Sequence, residues 1–187
     1  MIQHIQTQIF ETAFGFVHSA WFNKGLAALT LPQESLNEAI CVMERKLSGW
    51  KDWKDWKDWN TSLVPDVPAE EIDELLPRFR SLLLDYYNGL PVKFDIPVDL
   101  SWCTPFQFRV LNAIRAIPYG STLSYRQVGI AAGYPKAARA VGNAAGSNLT
   151  PVVIPCHRVI MHNGKPGGFS DRIDFKKLLL DLESANV

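Results

Sequence analysis

Residues 151–160 constrain this chain more than any other segment, because two prolines frame an apolar run that leads directly into cysteine, histidine and arginine. A proline fixes its own φ and restricts the residue before it, so the backbone ahead of Cys156 has few conformations. The nucleophilic form of cysteine is the thiolate, which needs a base or a positive charge nearby. His157 is the candidate base and Arg158 the candidate cation. For a bare Cys-His pair, however, a buried structural cysteine beside a surface histidine is the favoured interpretation.

The formal net charge of the 187 residues is zero, but the charge is divided unevenly along the chain. Residues 1–100 hold 9 Lys and Arg against 15 Asp and Glu, whereas residues 101–187 hold 10 against 4. A basic half beside an acidic half suggests that only the C-terminal half meets a polyanion. Solvated surface charge also produces such splits.

The cellular location is indicated by two features of the sequence, the length of its apolar runs and the number and spacing of its cysteines. No run approaches the roughly 18 apolar residues that suggest a membrane span, and no signal peptide is visible. The cysteines, Cys41, Cys103 and Cys156, are odd in number and widely spaced, which is not the pattern of a disulfide framework. We therefore expect an intracellular, reducing location, cytoplasmic in a prokaryote and nuclear in a eukaryote, and no membrane partner.

The first hundred residues predict a small antiparallel sheet with helices. Three segments, residues 5–10, 15–20 and 26–31, have the β-branched and aromatic content of strands, with Asn23-Lys24-Gly25 as a turn. A first helix is predicted over residues 35–47, where the helical period is carried by Leu36, Ile40, Met43 and Leu47. A second is predicted over residues 69–87, with Pro77 as a potential break and Asn88-Gly89 as its end.

Two further segments complete this half. Residues 50–59 repeat a Trp-Lys-Asp unit, and a period of three cannot place all the tryptophans on one buried face. A repeat expansion in a surface loop is favoured over a base-stacking surface, because each Lys is neutralised by the next Asp. Residues 90–100 look extended, and we place a domain boundary near residue 100.

The second half predicts a mostly helical domain. Thr104-Pro105 is suited to begin a helix as cap and first residue, and residues 117–120 end it. A short helix over residues 125–132, capped by Ser124, is joined by Gly133-Tyr134-Pro135 to a helix over residues 136–145. Such a pair matches a helix-turn-helix. The chain is therefore predicted to be an α/β (α+β) protein with an N-terminal domain over 1–100 and a C-terminal domain over 101–187.

The second helix of that pair has a face of small residues, from which Arg139 is the one long group that projects; the small residues are Ala137, Ala138, Ala140 and Gly142. Such a face permits close backbone approach to a ligand such as DNA. Close packing between helices in a core would use alanine and glycine equally well, and the pattern leaves both interpretations open.

Several separated strings resemble those of the O6-alkylguanine-DNA alkyltransferases, in the order and spacing of that family. They cover essentially residues 101–183 and comprise Thr104-Pro105-Phe106-Gln107, Ile117-Pro118-Tyr119-Gly120, Ser124-Tyr125, Arg139-Ala140-Val141-Gly142-Asn143-Ala144, Asn148 and Pro155-Cys156-His157-Arg158-Val159. The N-terminal part is similar to the family's first domain only in outline.

The resemblance implies direct reversal of DNA damage, in which a damaged guanine is flipped out of the duplex and its O6-alkyl group is transferred irreversibly to the protein's cysteine. It implies that Cys156 is the acceptor and that His157, oriented by Glu183, acts as base through a water molecule. Tyr125 would contact a phosphate and hydrogen-bond the extruded base. Arg139 would fill the vacated space in the stack from the minor groove. Asn148 would be the hinge between the DNA-binding helix and the cysteine loop.

One stretch departs from the family pattern, since Phe169-Ser170-Asp171-Arg172 stands where Tyr-Ser-Gly-Gly is usual. Ser170 could still hold the guanine oxygen, and we place it in the substrate pocket with Phe169, Arg158 and Val159. Asp171 and Arg172 replace glycines that keep the pocket wall thin. We therefore expect a narrower entrance that tolerates methyl better than benzyl adducts, and a less readily ionised thiol.

Two other functions remain open from the sequence. A non-catalytic lesion binder of the same fold is opposed by the presence of Cys156, and a Cys-His hydrolase lacks an evident oxyanion motif. No cofactor is expected. A zinc site built from Cys41, Cys103, His4 and His18 is disfavoured because no tight ligand pairing is present. The expected partner is double-stranded DNA containing O6-alkylguanine, bound by a monomer.

Overall fold

The computed structural model describes residues 6–48, 67–168 and 173–185, and it has the predicted mixed α/β architecture. In chain order the regular elements are β1 (Gln6–Thr12), β2 (Gly15–Phe22), β3 (Gly25–Leu29), α1 (Leu36–Ser48), α2 (Ala69–Tyr87), α3 (Pro105–Arg115), β4 (Leu123–Ser124), α4 (Tyr125–Ala131), α5 (Ala138–Gly146), β5 (Val159–Ile160) and α6 (Ile173–Ser184). A 3₁₀ turn, Cys156–Arg158, precedes β5.

The described residues form two compact units. The sheet unit contains the described residues up to Asn88 together with Val92–Cys103. The helical unit contains Gly89–Pro91 and the described residues from Thr104 onward. The sequence-based division into domains 1–100 and 101–187, which concerns independent folding, stays a prediction.

The sheet unit is built on an antiparallel sheet in the order β1-β2-β3. The turn between β2 and β3 requires glycine, because Gly25 has a φ of +107°. Helix α2 packs on the sheet through Phe79, whose ring lies edge-on to Trp21 at a centroid distance of 5.2 Å. Trp21, Phe79 and Tyr86 are completely buried. These large aromatic side chains supply much of the apolar burial of this unit.

Three details of this unit differ from the sequence prediction. In α1 the inward residues are Ala39 and Met43, whereas Leu36, at the start of the helix, is exposed. Helix α2 continues unbroken through Pro77, whose side chain is exposed. Residues 90–100 form no regular strand, although Val98 makes an isolated parallel bridge with Leu26. The Trp-Lys-Asp repeat at 50–59 lies outside the described residues.

Helices α3, α4 and α5 pack together to form the core of the helical unit. Thr104 caps α3 through a capping box with Gln107, and Pro105 is its first residue, as predicted. Ser124 caps α4 through a second capping box with Gln127. The two side chains satisfy backbone N–H groups that a helix start leaves unpaired. Both helix starts therefore follow from local sequence chemistry.

The helix-turn-helix consists of α4, a turn at Gly133 with a φ of +86°, and α5. The second helix begins at Ala138, so the predicted positions Lys136 and Ala137 belong to the turn. Strands β4 and β5 pair in parallel and place Leu123 opposite Val159. Because α4 follows β4 directly, this pairing brings its first residue, Tyr125, beside the segment that carries Cys156. No described helix is long and apolar enough to cross a membrane.

Candidate active site

Cys156 begins the 3₁₀ turn, and its side chain is buried, with 7% of the residue surface exposed. The side-chain amide of Asn148 donates to the Cys156 sulfur at 3.1 Å and to the Ile154 carbonyl at 2.8 Å. The amide oxygen of Asn148 accepts from the Thr150 backbone N–H at 3.0 Å. Asn148, two residues after the end of α5, is thus bonded to both ends of the cysteine loop. A hydrogen bond donated to sulfur favours the thiolate.

The loop before Cys156 contains strained backbone. Val152 has a φ of +73°, which a β-branched residue rarely adopts, and it is buried. A hydrogen bond from the Ile154 N–H to the Thr150 carbonyl at 2.9 Å closes the turn around it. Backbone in this region costs roughly 1–3 kcal/mol and persists where the surroundings enforce it. The orientation of the Cys156 side chain is therefore set by a constrained loop.

His157 is completely buried and pairs with a carboxylate from α6. Its Nε2 lies 2.7 Å from Glu183 Oε1. Because a carboxylate accepts, the tautomer consistent with this contact carries the proton on Nε2 and leaves Nδ1 as the basic nitrogen. Burial lowers the pKa of His157 below its ordinary 6.5, despite the neighbouring Glu183. The imidazole is therefore neutral at neutral pH and able to accept a proton.

Arg158 does not supply the cation that the sequence predicted for the thiol. Its Nε and Nη2 each donate to Glu183 at 2.9 Å, and its Nη1 donates to the Ile117 carbonyl at 2.6 Å. The Gly120 backbone N–H donates to the same carboxylate at 3.1 Å. The planar guanidinium fits the carboxylate through two parallel hydrogen bonds, which explains the pairing. The charge of Arg158 is thus compensated by Glu183.

The ionisation of Glu183 follows from these contacts. Burial pushes the pKa of Glu183 upward, but hydrogen bonds from His157 and Arg158 outweigh it and bring the pKa to about 2. The carboxylate is therefore ionised throughout the physiological range. A fixed, ionised acceptor holds the His157 ring in one orientation.

Tyr125 is half-buried at the start of α4 and donates its hydroxyl to the Gly168 carbonyl at 3.3 Å. Burial, with the nearby Cys156 as a second cause, raises the pKa of Tyr125 above its ordinary 10. The hydroxyl therefore stays protonated and can donate a hydrogen bond. The Val159 carbonyl accepts from the Lys176 amine at 2.6 Å.

Sequence reasoning missed Lys176 and the backbone groups at Ile117 and Gly120. Lys176 is completely buried, and its pKa falls to about 8, mainly because of burial. The signal for Lys176 lay in the helical period, since it shares the buried face of α6 with Phe175, Leu179 and Glu183. A lysine on the inward face of a helix is rarely buried without a partner. No pattern of side chains could have identified the two backbone groups.

The remaining predicted site residues lie on α5, in the turn before it, and in residues 169–172, which the structure does not describe. Arg139 and Ala140 are exposed, whereas Ala137, Ala138 and Gly142 are half-buried. A Cβ added at Gly142 would lie 3.6 Å from the Tyr125 ring, so part of the small-residue face packs against α4. Phe169 and Ser170, with Asp171 and Arg172, lie outside the described residues.

Within the described ranges, no group of three or more His, Cys, Asp or Glu side chains is arranged to hold a metal ion. Cys41 is exposed on α1, whereas Cys103 and His18 are buried. His4 lies outside those ranges.

Comparison with known proteins places the helical unit in one class, that of the DNA binding domains. Residues 105–185 match the family model described as the DNA binding domain of 6-O-methylguanine DNA methyltransferase. A crystal structure of the Mycobacterium tuberculosis O6-methylguanine methyltransferase superposes with a TM-score of 0.70 at 30% identity, covering 98% of this chain and 95% of that one. The same mycobacterial protein in complex with DNA matches with a TM-score of 0.67.

Sequence relatives agree with the structural comparison. A methylated-DNA–protein-cysteine methyltransferase of Methanosarcina acetivorans is 39% identical over 122 residues, which are 65% of this chain and 77% of the relative. The Mycobacterium bovis protein of that name is 45% identical over 102 residues, 54% of this chain, and the match spans 61% of the relative's length. The chain belongs to the methylated-DNA–protein-cysteine methyltransferase family.

Proposed function

We propose that this protein repairs O6-alkylguanine in double-stranded DNA by transferring the alkyl group to Cys156, once per molecule. The single observation that carries the proposal is the Cys156 sulfur hydrogen-bonded by Asn148 and followed directly by a buried His157–Glu183 pair. This arrangement provides a nucleophile, a base and a group that orients the base. Relatives named methylated-DNA–protein-cysteine methyltransferase support it.

In the proposed reaction, His157 accepts the thiol proton of Cys156, directly or through a water molecule. The thiolate attacks the alkyl carbon, a carbon–sulfur bond forms, and the bond from that carbon to guanine O6 breaks. The electron pair of the broken bond passes to the guanine, which takes up one proton from the surrounding water and becomes an ordinary base. His157 releases the thiol proton that it accepted to water, so that one proton is lost and one is gained overall. The Tyr125 hydroxyl, kept protonated by burial, donates a hydrogen bond to the leaving guanine. The thioether is stable, so each molecule acts once.

The proposal includes flipping of the guanine, because O6 of a stacked base is inaccessible to a buried sulfur. Extrusion costs a few kcal/mol, least for a damaged pair. Arg139, exposed on α5, fills the vacated space in the stack, and Asn148 serves as the hinge between α5 and the cysteine loop. The exposed Ala140 permits close approach of the helix to DNA, while Gly142 packs beside the Tyr125 ring.

The basic C-terminal half, residues 101–187, is the proposed DNA-binding and alkyl-acceptor domain, and residues 1–100 form the second domain. We infer a monomer acting inside the cell, where Cys156 stays reduced. No cofactor enters the proposed reaction. A non-catalytic lesion binder is disfavoured because the position that such proteins fill with another residue holds Cys156.

The direct test is a single mixing of the purified protein with a duplex containing O6-methylguanine, followed by peptide mass analysis. We expect one added methyl group on the Cys156 peptide and none on Cys41 or Cys103. Cys156→Ala should leave the duplex methylated, whereas Cys41→Ala, at an exposed position on α1, should behave like wild type. A methyl group on another residue, or none at all, would contradict the proposal.

The narrow entrance attributed to Asp171 and Arg172 remains a proposal. We expect transfer from O6-benzylguanine DNA to be slower than from O6-methylguanine DNA, measured as single-turnover rates. Replacement of both residues by glycine should restore the benzyl rate. Equal rates for the two adducts in the wild type would show that the entrance is not narrowed.

A further inference from the structure

Lys176 is a buried charged residue that the proposed reaction does not use. Its side chain is completely buried, and its amine donates to the Val159 carbonyl at 2.6 Å and to the Gly168 carbonyl at 3.4 Å. Burying an ammonium group is costly unless hydrogen bonds and opposite charge compensate it. The groups that surround Lys176 must therefore compensate the cost of burying its ammonium group.

The amine joins three segments of the helical unit. Val159 begins β5, Gly168 lies in the segment after it, and the Tyr125 ring at the start of α4 has its centroid 5.8 Å from the amine. The Tyr125 hydroxyl donates to the same Gly168 carbonyl at 3.3 Å. A cation near an aromatic face is attracted by the ring. One amine thus holds two backbone segments against the tyrosine.

The charge of this amine acts on titratable groups of the acceptor site. Burial lowers the pKa of Lys176 to about 8, while the charge of a Cys156 thiolate acts in the opposite direction. Lys176 in turn contributes to the lowered pKa of His157, and the Cys156 charge contributes to the raised pKa of Tyr125. Lysine, sulfur, imidazole and phenol are therefore electrostatically coupled.

The other buried cation beside the site is engaged elsewhere. Arg158 makes its two hydrogen bonds at 2.9 Å to the Glu183 carboxylate, so the two charges compensate each other. The Lys176 amine instead donates to neutral backbone carbonyls. The Lys176 ammonium is thus held by backbone groups of the acceptor site, one of them at Val159, three residues after Cys156.

We propose that Lys176 is a positioning residue of the acceptor site, whose ammonium group fixes the Val159 and Gly168 backbone against the Tyr125 ring and balances the charge of the Cys156 thiolate. The second part of this role rests on the proposed function of Cys156 as nucleophile.

The test compares Lys176→Met with Lys177→Met. Lys177 is a matched control because it is exposed on the same helix, and its ion pair is a surface contact with Asp174 at 3.9 Å. The rate at which iodoacetamide modifies Cys156 is followed across pH by peptide mass analysis. Loss of a nearby opposite charge should raise the pH midpoint by about one unit, which is about tenfold slower modification at neutral pH. Lys177→Met should leave the pH midpoint at its wild-type value. Lys176→Arg keeps the positive charge, so its pH midpoint should also match that of the wild type.

A purely structural role for Lys176 would lower the thermal unfolding midpoint without changing this pH profile. The same pH midpoint in Lys176→Met and Lys177→Met would therefore overturn the proposal.

A second measurement uses the wild type and does not depend on the folding of a variant. The titration midpoint of the Lys176 side chain is followed by NMR before and after methyl methanethiosulfonate converts Cys156 into a neutral mixed disulfide. Since a thiolate favours the charged lysine, its removal should lower the Lys176 midpoint and leave that of Lys177 unchanged. An unchanged Lys176 midpoint would contradict the proposal.

Failure of this proposal is distinguishable from failure of the proposed function. Absence of methyl transfer in the wild type, together with the expected shift in the iodoacetamide profile, would refute only the function. Methyl transfer at the wild-type rate by Lys176→Met would refute only the role of Lys176. If both proposals hold, Lys176→Met should transfer methyl about tenfold more slowly at neutral pH, with duplex affinity unchanged.

Discussion

Two buried cysteines, one in each unit, have opposite surroundings. Cys103 in the sheet unit is 1% exposed, and burial, with the Asp99 charge as a second cause, raises its pKa far above its ordinary value. Cys156 in the helical unit accepts a hydrogen bond from the side-chain amide of Asn148, and we propose that the Lys176 ammonium balances the charge of its thiolate. Burial alone keeps a thiol neutral and inert, whereas a hydrogen-bond donor and a nearby cation favour the thiolate of a buried sulfur.

The largest effect should come from deleting each sulfur in turn. Cys156→Ala should abolish methyl transfer because it removes the sulfur that we propose as the alkyl acceptor. Cys103→Ala should retain transfer and lose about 1 kcal/mol of unfolding free energy through lost packing. Single-turnover transfer and urea unfolding measure the two effects. Loss of transfer in Cys103→Ala with an unchanged fold would remove the distinction between the two cysteines.

Glu183→Gln should produce the next largest change. The substitution leaves the Arg158 charge buried without its partner, which typically costs about 3–5 kcal/mol of unfolding free energy. Transfer should also slow, because the His157 ring loses the acceptor that orients it. Adding Arg158→Met to Glu183→Gln should recover part of the lost unfolding free energy but should not restore the rate of methyl transfer.

The stability effect of Glu183 should depend on pH in a defined direction. The pKa of Glu183 is about 2 in the folded protein against an ordinary value of 4.5. Its contribution is therefore fully present above pH 4.5 and is lost as the pH falls toward 2. The difference in unfolding free energy between wild type and Glu183→Gln should shrink over that interval. A constant difference would show that the carboxylate is not held ionised.

Asn148→Asp should convert the surroundings of Cys156 into those of Cys103. The amide that donates to the sulfur is replaced by a negative charge, which disfavours the thiolate. We expect modification of Cys156 by iodoacetamide at neutral pH to slow by about tenfold or more, since an adjacent like charge shifts ionisation by at least about one pH unit. Asn143→Asp, at an exposed position on α5, is the control. Equal reactivity in the two variants would exclude a role for the Asn148 donor.

Gly167→Ala should give the smallest of these effects. Gly167 has a φ of +72°, and an added Cβ would lie 2.8 Å from the Tyr125 hydroxyl. Gly164→Ala is a matched control, because its φ of +79° imposes similar strain with no atom within 4 Å of the added Cβ. Displacement of Tyr125 should slow methyl transfer by about tenfold, which is less than the roughly 100-fold or more that a well-placed proton donor contributes. Equal rates in the two alanine variants would show that Tyr125 need not be held in place.

Local chemistry made much of the fold predictable. The caps at Thr104 and Ser124 each satisfy a helix start through neighbours three residues away, so their sequence signals are short and strong. The exposure of Leu36 was not predictable from the period alone, because the sheet contacts only part of α1. Pro77 interrupts one backbone hydrogen bond without ending α2, since the flanking turns of a long helix still pack.

The candidate site was predicted in part. Cys156 and His157 are adjacent in the chain, and the resemblance to a family identified Glu183 and Asn148. The pairing of Arg158 with Glu183, and the burial of Lys176 against Val159, depend on how α6 packs on the cysteine turn. Such long-range contacts are a property of tertiary structure, and no local pattern specifies which of two basic residues will face a carboxylate.

The most direct test of the central claim is the stoichiometry of repair. Wild-type protein is mixed with increasing amounts of O6-methylguanine duplex, and repaired guanine and methylated Cys156 are both quantified. The account predicts that repair stops at one guanine per protein molecule, with an equal amount of methyl on Cys156. Continued repair beyond one guanine per molecule, or repair without a methylated Cys156, would contradict it.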